Sequence, residues 1–513
     1  MTAVVGSSLR FFHNELVPIS EIPVVDVSQF RLAVIGDVEQ GGLISALFGV
    51  PQDSGGIRLY GVISLRDSSE ISVVATDVDD RYPSLTADCS QAHMFEREIA
   101  EQWGVIPEGH PWLKPVRFHA SYRPGHDAWS RSPNEPILPC VQPKGTSFYR
   151  VEGEEIHEVA VGPVHAGVIE PGHFRFQCHG ETVFNLEIAL GYQHRGIEKA
   201  LWKGPDKKTI HLIECLAGDT SVGHSTAYCQ AIETLSGASV PLKAQALRGV
   251  GLELERMANH TGDLGALAGD IGYLPTMSYC GRIRGDFLNS TAALCGNRFG
   301  RSLVKPGGVT WDADAELAQQ VIDRVKPAVR DVIGATDLLW DSRSVESRFD
   351  GTGTVSRADA EALGLVGMAA RASGIERDAR HDFPTGIYRF SFIPISTRST
   401  GDVYARALIR TLEVQRSAQF VIGQLEHLPD GPIKTTIGPL KANSFAVSLV
   451  EGWRGEICHV ALTNSEGSFA HYKVVDPSFH NWNGLAMSLR DQQISDFPLC
   501  NKSFNLSYCG HDL

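Results

Sequence analysis

Apolar side chains recur at helical spacing through the middle of the chain. Leu242, Leu247, Val250, Leu254 and Met257 form one stripe, and Pro241 sits just inside the start of the helix they predict. A second long helix is expected from a cap at Asp312 to Leu339, kinked at Pro327. Ser356 with Asp359 three residues on resembles a capping box, opening a helical segment to Ala372. A further helix runs over 403–425. β-branched content instead predicts strands at 58–65, 70–75, 155–161 and 174–178. Strands return over 443–475, with Asn464 to Gly467 as a turn between two of them. Residues 93–103 read as a helix stopped near Gly104. Pro124, Pro133, Pro136, Pro139 and Pro143 crowd the stretch between, and proline at that density continues neither helix nor inner strand. The expected fold is therefore α+β. It has a small N-terminal α/β domain (1–120), a Pro-rich linker (121–150), and a large, mainly helical domain with small peripheral β-sheets (151–513).

A length of 513 residues and a 42% hydrophobic composition fit a soluble globular protein with a sizeable core. The net charge of −14, with no basic run, argues against nucleic acid as a partner. The N-terminus has no charged flank before an apolar region, so no signal peptide is expected. No apolar stretch approaches the roughly 20 residues that span a bilayer; the nearest, 42–50, is far too short. Any membrane attachment is thus expected through partner subunits. The 10 cysteines are scattered and read as cytosolic thiols. No two of them stand at C-x-x-C spacing, the arrangement that holds a soft metal.

Several short words carry candidate chemistry. Gly162-Pro163-Val164-His165 alone marks a tight turn, and His194-Arg195-Gly196 a solvated helix flank. Glu253, Glu255, Arg256 and His260 share a helical face, where a surface ion-pair ladder is the default. Gly351-Thr352-Gly353 lacks the lysine and the preceding strand of a phosphate loop and is assigned to a turn. Taken in order, the words form a longer pattern: Gly162 to His165, Glu170-Pro171-Gly172-His173-Phe174-Arg175, His194 to Lys199, and Gly223-His224-Ser225-Thr226-Ala227-Tyr228. Asn297 to Arg301 with Lys305 to Val309, Arg371 to Gly374 with Asp378 and Arg380, Gly401 to Arg406, Glu451 to Glu456 and Asp476 to Phe479 extend it. The whole resembles the large subunit of energy-converting nickel–iron hydrogenases of the formate-hydrogenlyase type, a family that includes the quinone-site subunit of respiratory complex I. Phe95-Glu96-Arg97-Glu98, Gly104 and Gly109-His110-Pro111 resemble the small complex I subunit that docks on it; the formate-hydrogenlyase type fuses the two in this order.

The resemblance implies four cysteines holding nickel and iron, as two C-x-x-C pairs. Counting from the flanking words, those positions fall on Ala217, Thr220, Ser507 and Gly510. None is a cysteine, and Cys215 and Cys509 lie off register, so no metal is expected. By the same register the quinone-bonding tyrosine of complex I falls on Gly218, and its histidine near Glu170 or Pro171. Glu170, His173, Asp219 and His224 are expected around one cavity, either as proton carriers or as a polar network that satisfies itself. Glu198 matches a carboxylate used in proton transfer, and Arg454 an arginine lining the former metal pocket. Arg195 matches a cation beside the terminal iron–sulfur cluster of the small subunit, with His165 and His194 as the other cofactor-side candidates. The implied protein is an oxidoreductase subunit on the cytoplasmic face of the membrane that binds no cofactor firmly itself. Its implied partners are an iron–sulfur small subunit, a ferredoxin-like subunit and antiporter-like membrane subunits, with quinone as a candidate acceptor. The alternative is a redox-inactive scaffold in such a complex.

Overall fold

The computed structural model of the chain describes residues 3–5, 7–132, 137, 142–143, 146–165 and 169–513. Pro133, Pro136, Pro139 and Cys140 of the expected linker lie outside the described residues. Among the described residues between 109 and 155, no helix or strand forms.

Near the N-terminus, five antiparallel strands lie in the spatial order Ala3–Val5, Ser8–Phe12, Glu70–Val78, Ile57–Leu65 and Leu43–Pro51. Helices Val27–Glu39 and His93–Trp103 cover one face. Gly61 and Gly49 make room for them, since a Cβ at either would stand 2.9 Å from Val34 or 2.8 Å from Trp103. The opposite face is also buried, which explains why Leu43–Pro51 is a near-continuous apolar run rather than an alternating one. There Phe48 stacks on His471 and Tyr60 on Phe445, at ring distances of 5.4 and 6.0 Å.

Those partners belong to a second sheet, ordered Phe469–Val475, Glu456–Thr463, Ser444–Glu451 and Val17–Pro18. Its last strand comes from the N-terminal segment, so the two ends of the chain share one sheet and one apolar core. A third sheet joins Thr182–Ala189, His173–His179 and Ile156–Val161.

The helical body packs Leu242–Asp270 against Leu274–Cys295 and Val403–Glu426, with Ala315–Trp340 closing the group. Several ends differ from expectation. The cap of Ala315–Trp340 is Asp314, whose Oδ1 accepts the Leu317 N–H at 2.8 Å, and Pro327 lies inside the helix. The segment opened by Ser356 stops at Leu363, because Gly364 adopts φ 67°, and resumes as Gly367–Ala372.

One expectation is overturned. Glu253, Arg256 and His260 are fully buried, and Glu255 nearly so. Arg256 donates to Glu253 and to the Gly452 and Glu451 carbonyls, and His260 pairs with Glu413 at 2.8 Å. Helical spacing was right, but neighbouring elements supply the counter-charges: Arg371 bridges Glu413 and Glu451, and Arg380 bridges Glu253 and Asp378. Buried charges are tolerated only when paired in this way.

Candidate functional site

The site lies where the turn around residue 195, the start of helix Ser221–Ser236 and the last helix, Tyr508–Asp512, converge. Arg195 precedes Gly196, whose φ of 67° reverses the chain into helix Ile197–Leu201. The Arg195 guanidinium donates to the carbonyls of Cys215 (2.6 Å), Leu216 (2.9 Å) and Cys509 (3.0 Å). One planar cation thus pins together two segments about 300 residues apart in sequence. The backbone repeats the connection. Gly191 and Gln193 donate to the Asp512 carboxylate, and Arg195 and Gly196 to the Leu513 carbonyl.

The four expected cysteine positions fall on these converging segments. Ala217 is buried and offers no donor atom. Thr220 donates to Asp219 and accepts from the Trp453 indole at 3.1 Å. Ser507 caps the last helix, its hydroxyl accepting the Gly510 N–H at 2.9 Å. Gly510 lies so close to Asp476 that a Cβ there would stand 2.7 Å from the carboxyl carbon.

Arg454 occupies the space between. It donates to both Asp219 oxygens (2.7 and 2.8 Å) and to the Asn505 carbonyl (2.5 Å), and lies 3.9 Å over the Trp453 ring. Burial pushes the Asp219 carboxyl up, but Arg454 outweighs it and holds the group below the usual carboxylate range. Asp219 remains one-third exposed, 33%. Glu170 accepts the Tyr508 N–H at 3.2 Å. Burial, with Glu170 adding to it, pushes the Cys509 thiol up to about 12, so it stays protonated. His165 meets the Tyr508 hydroxyl at 3.3 Å, and His194 bonds the Asp512 carbonyl at 2.8 Å through Nδ1. Pro163, Val164, Arg195, Cys215 and Gly218 form an exposed rim.

Residues 270–443 match the family described as respiratory-chain NADH dehydrogenase, 49 Kd subunit, and residues 42–132 the 30 Kd subunit family. The chain is 32% identical over 353 residues to the carbon monoxide-induced hydrogenase of Rhodospirillum rubrum, a match spanning 68% of this chain and 97% of that protein. The chain belongs to the family of hydrogenase large subunits and complex I 49 Kd subunits. Formate hydrogenlyase subunit 5 of Escherichia coli K12 is 28% identical over 493 residues, covering 92% of this chain and 84% of its own length. The fused C/D subunit of the NADH-quinone oxidoreductase of Bacteroides thetaiotaomicron is 29% identical over 429 residues, 78% of this chain and 80% of its own length. With both a 30 Kd-type and a 49 Kd-type segment, the chain is a fused large subunit of this family.

Within this large subunit the sequence-predicted residues separate into two groups. Glu170, Asp219, Arg454, Arg195, His165 and His194 gather around the last helix. His173, Glu198 and His224 do not. His173 lies on the other side of its strand from the core residue Phe174, beside Arg175 and 5.4 Å from the Phe148 ring. The period of two that buries Phe174 turns its neighbour away. Glu198 is sealed inside, accepting from Lys473, Gln102 and the Val474 N–H. Burial raises it, but Lys473 and Arg117 together bring it down to about 2. His224 is wholly buried between Asp476 and His459. The single cavity expected around Glu170, His173, Asp219 and His224 is thus not the arrangement found.

One further ionisable group lies beside the site, where the sequence words did not place it. Glu255 accepts the Val222 and Gly223 N–H groups at 2.7 and 3.1 Å. Burial pushes it up to about 8 against those bonds, so it gains or loses a proton near neutrality, beside Asp219. Its place one residue before Arg256 made it look like part of a surface ladder. No helix among the described residues is long and apolar enough to cross a membrane.

Proposed function

We propose that this chain is the peripheral, cytoplasmic-face subunit of a membrane-bound oxidoreductase complex, in which it and an iron–sulfur small subunit enclose an electron-accepting site without nickel. A quinone is the candidate acceptor, and its turnover is coupled to ion movement in antiporter-like membrane subunits, with a ferredoxin-like subunit supplying electrons. The observation that carries this reading is the Arg195 clamp. It joins the two segments on which the four expected cysteine positions fall. The exposed rim around Arg195 gives the small subunit a face, and a cation there raises the reduction potential of a nearby cluster.

The donor set does not fit a nickel–iron centre. Alanine and glycine supply nothing, and the Thr220 and Ser507 hydroxyls are poor substitutes for soft thiolates. Cys509, a thiol on the last helix, is held protonated by burial and Glu170. Glu255, pushed up to about 8 by burial, supplies a carboxyl group able to exchange protons with an acceptor bound beneath the rim.

A second reading, a redox-inactive scaffold, is favoured by one contact. The bidentate Asp219 pair already neutralises Arg454, leaving that guanidinium little to offer a ligand. The chain co-purified with its small subunit and titrated with a quinone analogue separates the two readings. A shifted cluster spectrum, with no stoichiometric nickel by elemental analysis, supports the acceptor site. An unchanged spectrum leaves the scaffold.

A further inference from the structure

Beneath the site runs a row of side chains that the proposed function leaves unused. Asp476 Oδ2 lies 3.0 Å from His224 Nε2, His224 Nδ1 lies 3.1 Å from His459 Nε2, and His459 Nδ1 lies 2.8 Å from Tyr472 Oη. All four side chains are buried, none more than 1% exposed. The stations come from four elements. His224 is in helix Ser221–Ser236, and His459 and Tyr472 are on neighbouring strands Glu456–Thr463 and Phe469–Val475. Asp476 caps helix Pro477–Ser488 through its other oxygen, which accepts the Ser478 N–H at 2.8 Å.

The proton positions follow from the carboxylate end. Burial pushes Asp476 up, but the His224 bond and nearby Arg454 hold it below the usual range, so it is ionised and can only accept. A His224 ring that donates from Nε2 to this carboxylate and carries no second proton leaves Nδ1 to accept from His459 Nε2–H. His459 Nδ1 is bare in turn and accepts the Tyr472 hydroxyl. Burial keeps His459 neutral and Tyr472 protonated, as this order requires. In that tautomer every donor points toward Asp476, and Asp476 lies directly against Gly510 at the site.

We infer that Tyr472, His459, His224 and Asp476 form a proton relay that feeds the electron-accepting site; the inference rests on the function proposed above. A proton arriving at the Tyr472 oxygen displaces the phenolic proton to His459 Nδ1. The Nε2 proton of His459 then passes to His224 Nδ1, and that of His224 Nε2 to Asp476. At Tyr472, His459 and His224 one O–H or N–H bond breaks and one forms, Asp476 ends with one added proton to pass to the site, and no electron moves. Tyr228 packs beside the outer end of the row, its ring 6.3 Å from that of Tyr472. Gly510 fits this scheme because any side chain there would displace the carboxylate at the end of the row.

The test uses the complex of this chain with its iron–sulfur subunit, turning over a water-soluble quinone in H2O and in D2O. Tyr472→Phe removes one oxygen from the row and keeps the ring; His459→Ala opens a gap that added imidazole can fill. The expected result is a loss of turnover of about a hundredfold in both variants, with an unchanged cluster spectrum and partial recovery of His459→Ala by imidazole. Wild-type turnover in Tyr472→Phe with the same H2O/D2O ratio overturns the relay. So does a loss that imidazole does not relieve and that comes with an altered cluster spectrum, because that is a structural effect. Absence of turnover in the wild-type complex removes the acceptor site itself, and the relay with it.

Discussion

Lys473 shows what a single side chain can hold in place. Its ammonium donates to both Glu98 oxygens at 2.7 Å and reaches Glu198 at 2.9 Å, with about 1% of its side chain exposed. Arg117 completes the cluster, pairing with Glu98 and donating to the His511 carbonyl at 2.8 Å. Lys473→Met would leave two buried carboxylates sharing one cation, an expected loss of about 3–5 kcal/mol, read as a lower urea midpoint at unchanged slope. Glu198 gives the cluster a pH signature. Its folded carboxyl titrates near 2 and its unfolded one near 4.5, so its contribution is complete above about 4.5 and is lost as pH falls toward 2. That contribution is on the order of 3 kcal/mol. Stability measured against pH should therefore fall less steeply below pH ~4.5 in Glu198→Gln than in wild type; identical slopes would mean that Glu198 is not held ionised by its neighbours.

At the scale of elements, helix ends are decided by single residues, and the cap of Val403–Glu426 is one of them. Asp402 Oδ1 accepts the Ala405 N–H and the Thr400 hydroxyl, and Oδ2 the Gly351 N–H. Asp402→Ala should cost about 1–2 kcal/mol, measured by thermal unfolding, and a shift within error would remove the cap from the account. Caps and breakers of this kind are what the sequence makes legible. The helix at 93–103 with its Gly104 stop, the Ser356 capping box and the strands near 60 and 72 all rest on local chemistry. Helix Leu274–Cys295 was not legible, because Gly281, Gly285, Arg282 and Arg284 interrupt any apolar stripe. The ionic core around Leu242–Asp270 was misread for a related reason. An acid–base pair one helical turn apart looks the same in sequence whether solvent or Glu413 lies opposite it. At the site, the word order located the converging segments around Arg195 and Arg454. The relay did not show, since His224, His459, Tyr472 and Asp476 touch only after four elements have packed.

The molecule as a whole is joined at its ends. Val17–Pro18 pairs with Ser444–Glu451, Phe11 meets Phe445 edge-on at 6.4 Å, and Glu98 reaches Lys473 across the same boundary. An N-terminal unit tethered only by a linker would open on its own, as domains with small polar interfaces do. Here the interface is an apolar core with buried charge pairs, and leaving it exposes Phe48, Tyr60 and Phe445 while stranding Glu98 without its lysine. Opening the N-terminal sheet alone therefore costs nearly as much as opening both sheets, and the two should behave as one cooperative unit. Native-state hydrogen exchange checks this directly. Amides of Ile57–Leu65 and Glu456–Thr463 should report the same opening free energy and the same denaturant dependence. Lys473→Met should lower both together. Exchange of the first strand at a distinctly lower free energy, with the second unmoved, would mean that the fused unit is a docked module whose contacts with the large-subunit segment are too weak to couple them.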